Sequence, residues 1–220
     1  MRHIIIVCEG ETEQEFSRNL LSPFFLKQDA IVYAPKIKHS NGGIVPWATL
    51  KTQLTHHLLH EPDAIVTTLI DYYRIKRSYA YPGWESAQAM TDIGDRLASM
   101  QHAMLQEFDE NSRHRFAPYI QFHEFEALLF SDIEALKSRF DIDKTNMANL
   151  QKAVDSHETP EHFNNQPATA PSVRLIKAIP GYDKTLDGMS IAQSIGLDKI
   201  RAKCPLFNRW LEQLTALCNG

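Results

Sequence analysis

Acidic and imidazole side chains stand at the ends of three segments whose apolar, β-branched composition is typical of buried strands. These residues are Glu9, Asp71, His123 and Glu124. The carboxyl ends of parallel strands meet at one edge of a sheet, where α/β proteins bind their ligands. Carboxylates brought together repel one another unless a proton or a cation compensates, and Mg²⁺ prefers carboxylate oxygens, water and phosphate as ligands. The pattern therefore predicts a Mg²⁺ or Mn²⁺ site at this edge.

The first of these acids opens a turn with four carboxylates within seven residues, from Glu9 to Glu15. Helix formation explains part of this, because Thr12 is a candidate N-cap and Glu15, three residues later, would complete a capping box. The positive end of the helix dipole would stabilise Glu11 and Glu13 by about 0.3–1 kcal/mol each. Glu9 precedes Gly10 at a turn where backbone amides open toward a ligand, so a structural role explains Glu9 less well.

The elements that must position these residues alternate between strand and helix along the first 140 residues. The residue pattern predicts strands at 4–8, 30–37, 63–71 and 116–123, and helices at 12–27, 47–60, 84–108 and 124–140. The glycine-rich stretch HSNGG, at 39–43, predicts a loop. This order predicts an α/β fold, a mostly parallel sheet with helices on both faces.

Residues 141–220 have a different character, with short helical patterns and no clear strand. Near the end of the chain an apolar helical face recurs at Leu206, Phe207, Trp210, Leu211 and Leu214. We therefore divide the chain into an α/β core, 1–140, and a helical C-terminal annex, 141–220, that packs on the core.

The composition is that of a globular protein without membrane segments. Hydrophobic residues make up 43% of the chain, yet no apolar run approaches the roughly 20 residues that a membrane helix needs. Three scattered cysteines predict a reducing, cytoplasmic location and no structural zinc. A net charge of −4 does not by itself favour nucleic-acid binding, so any such surface must be local. The P-loop motif is absent, so ATP hydrolysis would require another chain.

The loop that follows Asp71 is basic and aromatic. Arg74, Lys76 and Arg77 alternate with aromatic residues, an arrangement that can hold a phosphate backbone and stack bases. A solvated loop with its rings folded onto the core explains the same pattern equally well. For Asp71, a structural role as the residue that caps this loop is likewise as good an explanation as metal binding. His123 could ligate a metal or relay a proton, although a histidine beside a buried strand is more often structural.

Several stretches together resemble a known family. The stretch EGETE at 9–13, after a strand, and a later strand that ends in Asp71 look like the catalytic core of toprim domains, found in topoisomerases, primases and overcoming-lysogenization-defect nucleases. More closely, the stretches DYY, PYIQFHEFEALLFSD and APSVRLIKAIPGYDKTLDG are similar to a bacterial toprim-like family described as a domain of unknown function. The resemblance covers nearly the whole chain and implies a toprim-like fold.

The resemblance implies a Mg²⁺-dependent nuclease, a hydrolase of phosphodiester bonds. Glu9 corresponds to the toprim glutamate, a general acid or base or a metal ligand, and Glu13 corresponds to the second acid of that turn. Asp71 corresponds to the first aspartate of the toprim DxD motif, but Tyr73 replaces the second, and tyrosine is a poor Mg²⁺ ligand at neutral pH. The candidate replacements are Glu124 and Glu126.

The resemblance also implies cationic side chains and partners. Lys184 would steady a phosphate or the transition-state charge, and Arg174 and Arg201 would contact nucleic acid, although a surface position explains each of them as well. An ABC-type ATPase partner in defence against phage is implied, with a nucleic-acid substrate, DNA being favoured over RNA. The alternative is a degenerate toprim module that binds nucleic acid or regulates an ATPase without catalysis, which Tyr73 favours. We expect the annex to cover the carboxyl edge, with Lys184 facing the acids.

Overall fold

The computed structural model describes residues 1–40, 43–163 and 167–220 and has a five-stranded parallel sheet at its centre. Its strands are β1 (Arg2–Cys8), β2 (Ala30–Tyr33), β3 (Ala64–Asp71), β4 (Phe116–Ala117) and β5 (Ile120–Gln121). Their order is β2, β1, β3, with β4 and β5 both beside β3, and every pairing is parallel. The predicted fold class is therefore confirmed. The loop predicted at HSNGG includes positions 41 and 42, which lie outside the described residues.

Helices flank the sheet. In the core they are α1 (Glu11–Phe16), α2 (Ser22–Leu26), α3 (Trp47–His60), α4 (Trp84–Gln88), α5 (Ile93–Gln106), α6 (Glu110–Arg113) and α7 (Ile133–Arg139). In the annex they are α8 (Lys144–Asp155), α9 (Pro171–Ala178), α10 (Leu186–Ile195), α11 (Leu197–Lys203) and α12 (Pro205–Asn219). None of these described helices is long and apolar enough to cross a membrane. The boundary between core and annex stays a prediction.

Strand β1 is buried on both faces, because successive side chains of a strand point to opposite sides of the sheet. Ile4 and Ile6 lie in one hydrophobic cluster, which also contains buried residues of α12. Ile5 and Val7 lie in the other cluster, with the apolar faces of α3 and α5. The continuous apolar run in the sequence therefore reflects a strand covered on two sides, as is usual in parallel sheets.

The first predicted helix, 12–27, is interrupted. It starts after Gly10, which is the N-cap, and continues as α1, a π-helical segment (Ser17–Leu21) and α2. The prediction that Thr12 is the N-cap was wrong. Pro23 in α2 explains the interruption, because proline lacks the backbone N–H that a continuous α-helix needs.

Two further predicted helices are also divided. The one at 84–108 consists of α4 and α5, because the side chain of Asp92 accepts a hydrogen bond from the backbone N–H of Asp95 (2.8 Å) and starts a new helix. Of the one at 124–140, only the second half is α-helical, since its first half is a 3₁₀ helix, Phe125–Ser131.

The predicted strand at 116–123 is split at Pro118 into β4 and β5. Proline has no N–H for the sheet ladder. The hydroxyl of Thr68 in β3 makes the hydrogen bonds at this point, since it donates to the carbonyl of Tyr119 (2.8 Å) and accepts from its N–H (3.0 Å). The predicted strand at 30–37 is likewise shorter, because β2 covers only its first half.

Helix α12 packs on the sheet through Trp210. Its indole N–H donates a hydrogen bond to the hydroxyl of Thr67 in β3 (2.8 Å), and its ring stacks on Tyr119 with 4.5 Å between the ring centroids. The buried carboxylate of Glu161 accepts hydrogen bonds from two backbone N–H groups in the first turn of α12. These contacts join the C-terminal helices directly to the strand that ends in Asp71.

We expect Trp210→Ala to lower the free energy of unfolding by about 3–5 kcal/mol, because it leaves a cavity against the sheet and removes the N–H that donates to the Thr67 hydroxyl. Urea denaturation followed by circular dichroism measures this. Leu186→Ala is the control, because 73% of Leu186 is exposed and its truncation should change stability by less than about 0.5 kcal/mol. Equal effects of the two substitutions would contradict the packing of α12 on the sheet.

Candidate functional site

Two acids lie together at the carboxyl edge of the sheet. In the parallel pairing of β1 with β3, Cys8 lies beside Leu69, so Glu9 and Asp71 leave the sheet at the same edge. A carboxylate oxygen of Glu9 accepts a hydrogen bond from the backbone N–H of Asp71 (2.9 Å). Only 5% of Glu9 and 3% of Asp71 is exposed. The strand order thus brings both acids into one buried site.

A third acid, Glu13, closes the turn between β1 and α1. Its buried carboxylate accepts a hydrogen bond from the backbone N–H of Gly10 (2.9 Å). A Cβ at Gly10 would lie 3.1 Å from this carboxylate, so glycine permits the close approach. The predicted capping role of Glu15 was wrong, since Glu15 instead forms an ion pair with Arg18 (2.9 Å).

A fourth acid, Glu126, meets the annex. It lies in the 3₁₀ helix after β5 and has no exposed surface. The ammonium group of Lys184 is 3.1 Å from one of its oxygens, an ion pair without good hydrogen-bond geometry, and neither oxygen accepts a hydrogen bond from any other described residue. Because 37% of the Lys184 side chain is exposed, a fully buried carboxylate depends on one partly exposed cation.

The acid cluster consists of Glu9, Glu13, Asp71 and Glu126, whose charges act on one another. Burial raises the pKa of Glu9 to about 7, against the opposing effect of the hydrogen bond from Asp71. Burial, and then the charges of Glu9 and Glu13, raise the pKa of Asp71 well above its ordinary value. Burial also raises the pKa of Glu126. At neutral pH the cluster therefore retains protons that separate carboxylates would lose.

Lys184 responds in the opposite direction. Burial disfavours its charge, but the carboxylates of Glu126, Asp71 and Glu13 outweigh burial and raise the pKa of the ammonium group. This lysine therefore stays charged wherever the acids are ionised. One lysine offsets one carboxylate, so the remaining acids depend on protons or on another cation.

Of the predicted basic loop, Arg74 approaches the acid cluster. Its Nε lies 4.0 Å from a carboxylate oxygen of Glu9, and about half of its side chain is exposed. Arg77 instead forms an ion pair with Glu85 (2.7 Å), and Lys76 lies over a neighbouring tyrosine ring. Nucleic-acid binding by this loop stays a prediction.

The two predicted residues before the 3₁₀ helix have other surroundings. Glu124 accepts a hydrogen bond from the backbone N–H of Ser172 in α9 (3.1 Å), although its charge helps to raise the pKa of Glu126. His123 is buried, which lowers its pKa to about 4, and its Nε2 has no partner among the described residues. Its ring centroid lies 6.3 Å from that of Tyr73. The His123 imidazole is therefore neutral at physiological pH.

The two predicted annex arginines have partners outside the acid cluster. Arg174 donates a hydrogen bond to the carbonyl of Thr169 (2.8 Å). Arg201 donates to the side chain of Asn208 (2.7 Å) and lies over the ring of Phe24. Within the described ranges neither forms an ion pair with an acid. Their role in nucleic-acid binding also stays a prediction.

The acid cluster has the ligand chemistry of a hard cation without the arrangement of a metal centre. No three His, Cys, Asp or Glu side chains in the described part of the chain are positioned to hold a metal ion. The backbone N–H groups of Asp71 and Gly10 and the ammonium group of Lys184 engage the carboxylates instead. The atoms of the cluster that could bind a metal are nevertheless all carboxylate oxygens. The two buried oxygens of Glu126 accept no hydrogen bond from the described residues. The residue types therefore fit Mg²⁺ or Mn²⁺ if metal bonds replace these contacts.

Sequence reasoning missed Tyr182 beside the acid cluster. Its hydroxyl is buried without a hydrogen-bond partner among the described residues, and burial, followed by the charge of Glu126, raises its pKa. A Cβ at Gly188 in α10 would lie 3.2 Å from this hydroxyl, so glycine leaves room for the ring. The one sequence signal was its position two residues before Lys184 in the stretch GYDKTLDG.

A comparison with family models covers both the core and the annex. The model of a family described as a domain of unknown function, DUF4276, matches residues 8–215. The chain belongs to the DUF4276 family. The matched region of this DUF4276 protein contains the whole acid cluster and Lys184, whereas the relation to toprim nucleases stays a prediction. Searches of the curated proteins and of the solved structures gave no significant match.

We expect Lys184→Met to destabilise the DUF4276 protein at about pH 8, because the buried Glu126 carboxylate loses its cation. The loss should be about 1–3 kcal/mol, since solvent already screens the partly exposed lysine. It should be smaller at about pH 5, because the folded variant then binds a proton on Glu126, a contribution that is lost as the pH rises through the raised pKa of this group. Urea denaturation at both pH values measures the difference.

The double variant Lys184→Met/Glu126→Gln is the control for this ion pair. It buries no charge at position 126, so it should recover most of the lost stability, and its difference in stability from the parent protein should no longer depend on pH. Equal destabilisation by Lys184→Met at both pH values, or no recovery in the double variant, would contradict the described electrostatics.

Proposed function

We propose that this DUF4276 protein is a metal-dependent nuclease of toprim type that hydrolyses phosphodiester bonds at the acid cluster. The observation that supports this most strongly is the meeting of Glu9 and Asp71 at the carboxyl edge of two neighbouring parallel strands. Ligands of open α/β sheets bind at that edge. Buried carboxylates with raised pKa values beside a charged partner are also more frequent at functional sites than elsewhere.

Glu9, Asp71 and either Glu13 or Glu126 would hold one or two Mg²⁺ or Mn²⁺ ions through carboxylate oxygens. Such an ion, when bound, polarises a phosphoryl oxygen, lowers the pKa of water and stabilises the leaving oxygen. A carboxylate that accepts no hydrogen bond inside the protein is the better candidate for a metal ligand.

Tyr73 supplies no carboxylate where toprim domains have their second aspartate. Glu126 is a better replacement than Glu124, because the oxygens of Glu126 lack hydrogen-bond donors whereas Glu124 accepts a backbone hydrogen bond from α9. In this proposal Glu126 would exchange its contact with Lys184 for a bond to the ion, and Lys184 would then face the phosphate.

The protein groups supply proton transfer and charge stabilisation. Burial raises the pKa of Glu9 to about 7 without a metal ion, so Glu9 could act as a general acid or base near neutral pH where the other acids hold the ion. Lys184 is charged and lies against Glu126, where an ammonium group can stabilise charge that develops on a phosphoryl oxygen. His123 is neutral and suited to donate or accept a hydrogen bond.

A phosphodiester strand must be held against the repulsion of the acids. Arg74, beside Glu9, would contact the phosphate next to the reacting one, and the exposed Lys76 and Arg77 would contact phosphates farther along. DNA is the favoured substrate. The toprim resemblance also supports an ABC-type ATPase partner in defence against phage, since the chain carries no P-loop of its own.

The second candidate function is a degenerate toprim module that binds nucleic acid or regulates an ATPase without catalysis. Tyr73 favours it, because the position of a metal-binding aspartate is lost. The closed state of the acid cluster favours it too, since the carboxylates of Glu9, Glu13 and Glu126 already have partners inside the protein.

A cleavage assay on labelled single- and double-stranded DNA and RNA, with Mg²⁺ or Mn²⁺, tests the proposal. We expect cleavage that a chelator abolishes and that Glu9→Gln/Asp71→Asn slows by at least about 100-fold, because the amides keep the side-chain size but remove the charge and the titratable proton.

Glu11→Gln is the matched control for the double variant. Glu11 lies in the same turn but is exposed, so this substitution should leave the cleavage rate unchanged. Cleavage that persists in Glu9→Gln/Asp71→Asn would exclude the acid cluster as its source. Nucleic-acid binding by the parent protein without any cleavage would support the second candidate function.

A further inference from the structure

A cavity of about 350 Å³ lies between α8 and α9 in the annex. Its apolar lining includes Leu150, Ala153 and Ala178. Small-molecule sites are typically clefts of about 300–1,000 Å³ with apolar walls and a few polar groups that fix the orientation of the ligand. No member of the acid cluster lines this cavity, so it is a site separate from the proposed nuclease centre.

The charged side chains that line this α8–α9 cavity are all cations. They are Lys152 from α8 and Arg174 and Lys177 from α9. Across the described ranges none of the three forms an ion pair with an acid. Burial lowers the pKa of the Arg174 guanidinium, and no carboxylate offsets that effect. Three positive charges around one concave site attract an anion.

Hydrogen bonds hold two of these cations in place. The Nε of Arg174 donates to the carbonyl of Thr169 (2.8 Å), and the ammonium group of Lys177 donates to the carbonyl of Ala168 (3.4 Å). Both carbonyls belong to residues of the cavity wall. No described residue accepts a hydrogen bond from the terminal N–H groups of this guanidinium, and a fixed guanidinium can donate to two oxygens of one phosphate group.

We infer that the α8–α9 cavity binds a free nucleotide, with its phosphate on Arg174, Lys177 and Lys152 and its sugar and base against the apolar wall. A phosphate monoester carries up to two negative charges, whereas a carboxylate carries one. The phosphate therefore balances the charge of three cations that form no ion pair with a described acid better than a carboxylate does. The volume of about 350 Å³ lies in the range of small-molecule sites, so the cavity can hold one nucleotide.

Isothermal titration calorimetry of the full chain in the presence of a chelator tests this inference. The probes are the common ribonucleoside 5′-monophosphates, each compared with its nucleoside. We expect at least one monophosphate to bind with a Kd below about 1 mM and its nucleoside to bind at least about tenfold more weakly, because only the monophosphate carries the charged group. The affinity should fall as the salt concentration rises.

Variants show whether the bound nucleotide occupies this cavity. Arg174→Gln and Lys152→Gln should each weaken binding by about tenfold, and Lys152 is exposed, so its substitution leaves the fold intact. Lys144→Gln is the matched control, because Lys144 lies on α8 but does not line the cavity. Its affinity should equal that of the parent protein.

Three results would overturn the inference. The first is no binding of any monophosphate up to about 1 mM, and the second is equal binding of nucleoside and nucleotide. The third is that Arg174→Gln and Lys152→Gln bind the nucleotide as tightly as the control Lys144→Gln. Binding of a single-stranded oligonucleotide that Arg174→Gln weakens, without binding of any monophosphate, would also overturn it and would assign these cations to a nucleic-acid strand. The nuclease assay is independent, because its variants lie in the acid cluster.

Discussion

Repulsion between buried carboxylates is the constraint on which the rest of this structure depends. The parallel pairing of β1 with β3 brings Glu9 and Asp71 to one edge, where little water is present to screen their charges. Backbone N–H groups stabilise part of this charge, from Asp71 on Glu9 and from Gly10 on Glu13. Lys184 and retained protons balance the rest, as the pKa of about 7 for Glu9 indicates. Because such a cluster costs stability, a functional role explains it better than a structural one.

The annex is part of this electrostatic balance. Lys184 comes from the segment before α10 and forms the ion pair with Glu126, which lies on the core side of the boundary at residue 140. Ser172 in α9 donates its N–H to Glu124, and Trp210 in α12 joins the annex to β3. The family match over residues 8–215 covers all of these residues, so the sheet edge and the helices that contact it belong to one family unit.

The sequence predicted the features that depend on strand pattern and chain order, and it did not predict those that depend on tertiary contacts. Continuous apolar runs that end in acids predicted the parallel sheet and the common edge of Glu9 and Asp71. The prediction of Thr12 as the N-cap was wrong because the helix begins nearer to β1 than expected. Glu13 is therefore the residue whose carboxylate reaches the backbone N–H of Gly10. The break of a strand at Pro118 was missed, although proline is a signal for it. No sequence pattern predicts the α8–α9 cavity, because its cations come from two helices that are separate in the sequence and meet only in the fold.

Under the proposed function, the acid cluster takes up a divalent cation in exchange for its protons. A ligand that binds only the folded state raises the free energy of unfolding, by about 2.7 kcal/mol when its concentration is 100 times its Kd. Urea denaturation at neutral pH over a range of Mn²⁺ concentrations is therefore the most direct measurement. We expect stability to rise with Mn²⁺ in the parent protein and in Glu11→Gln, but not in Glu9→Gln/Asp71→Asn. Stability that is independent of Mn²⁺ in the parent protein, or that rises equally in the double variant, would contradict it.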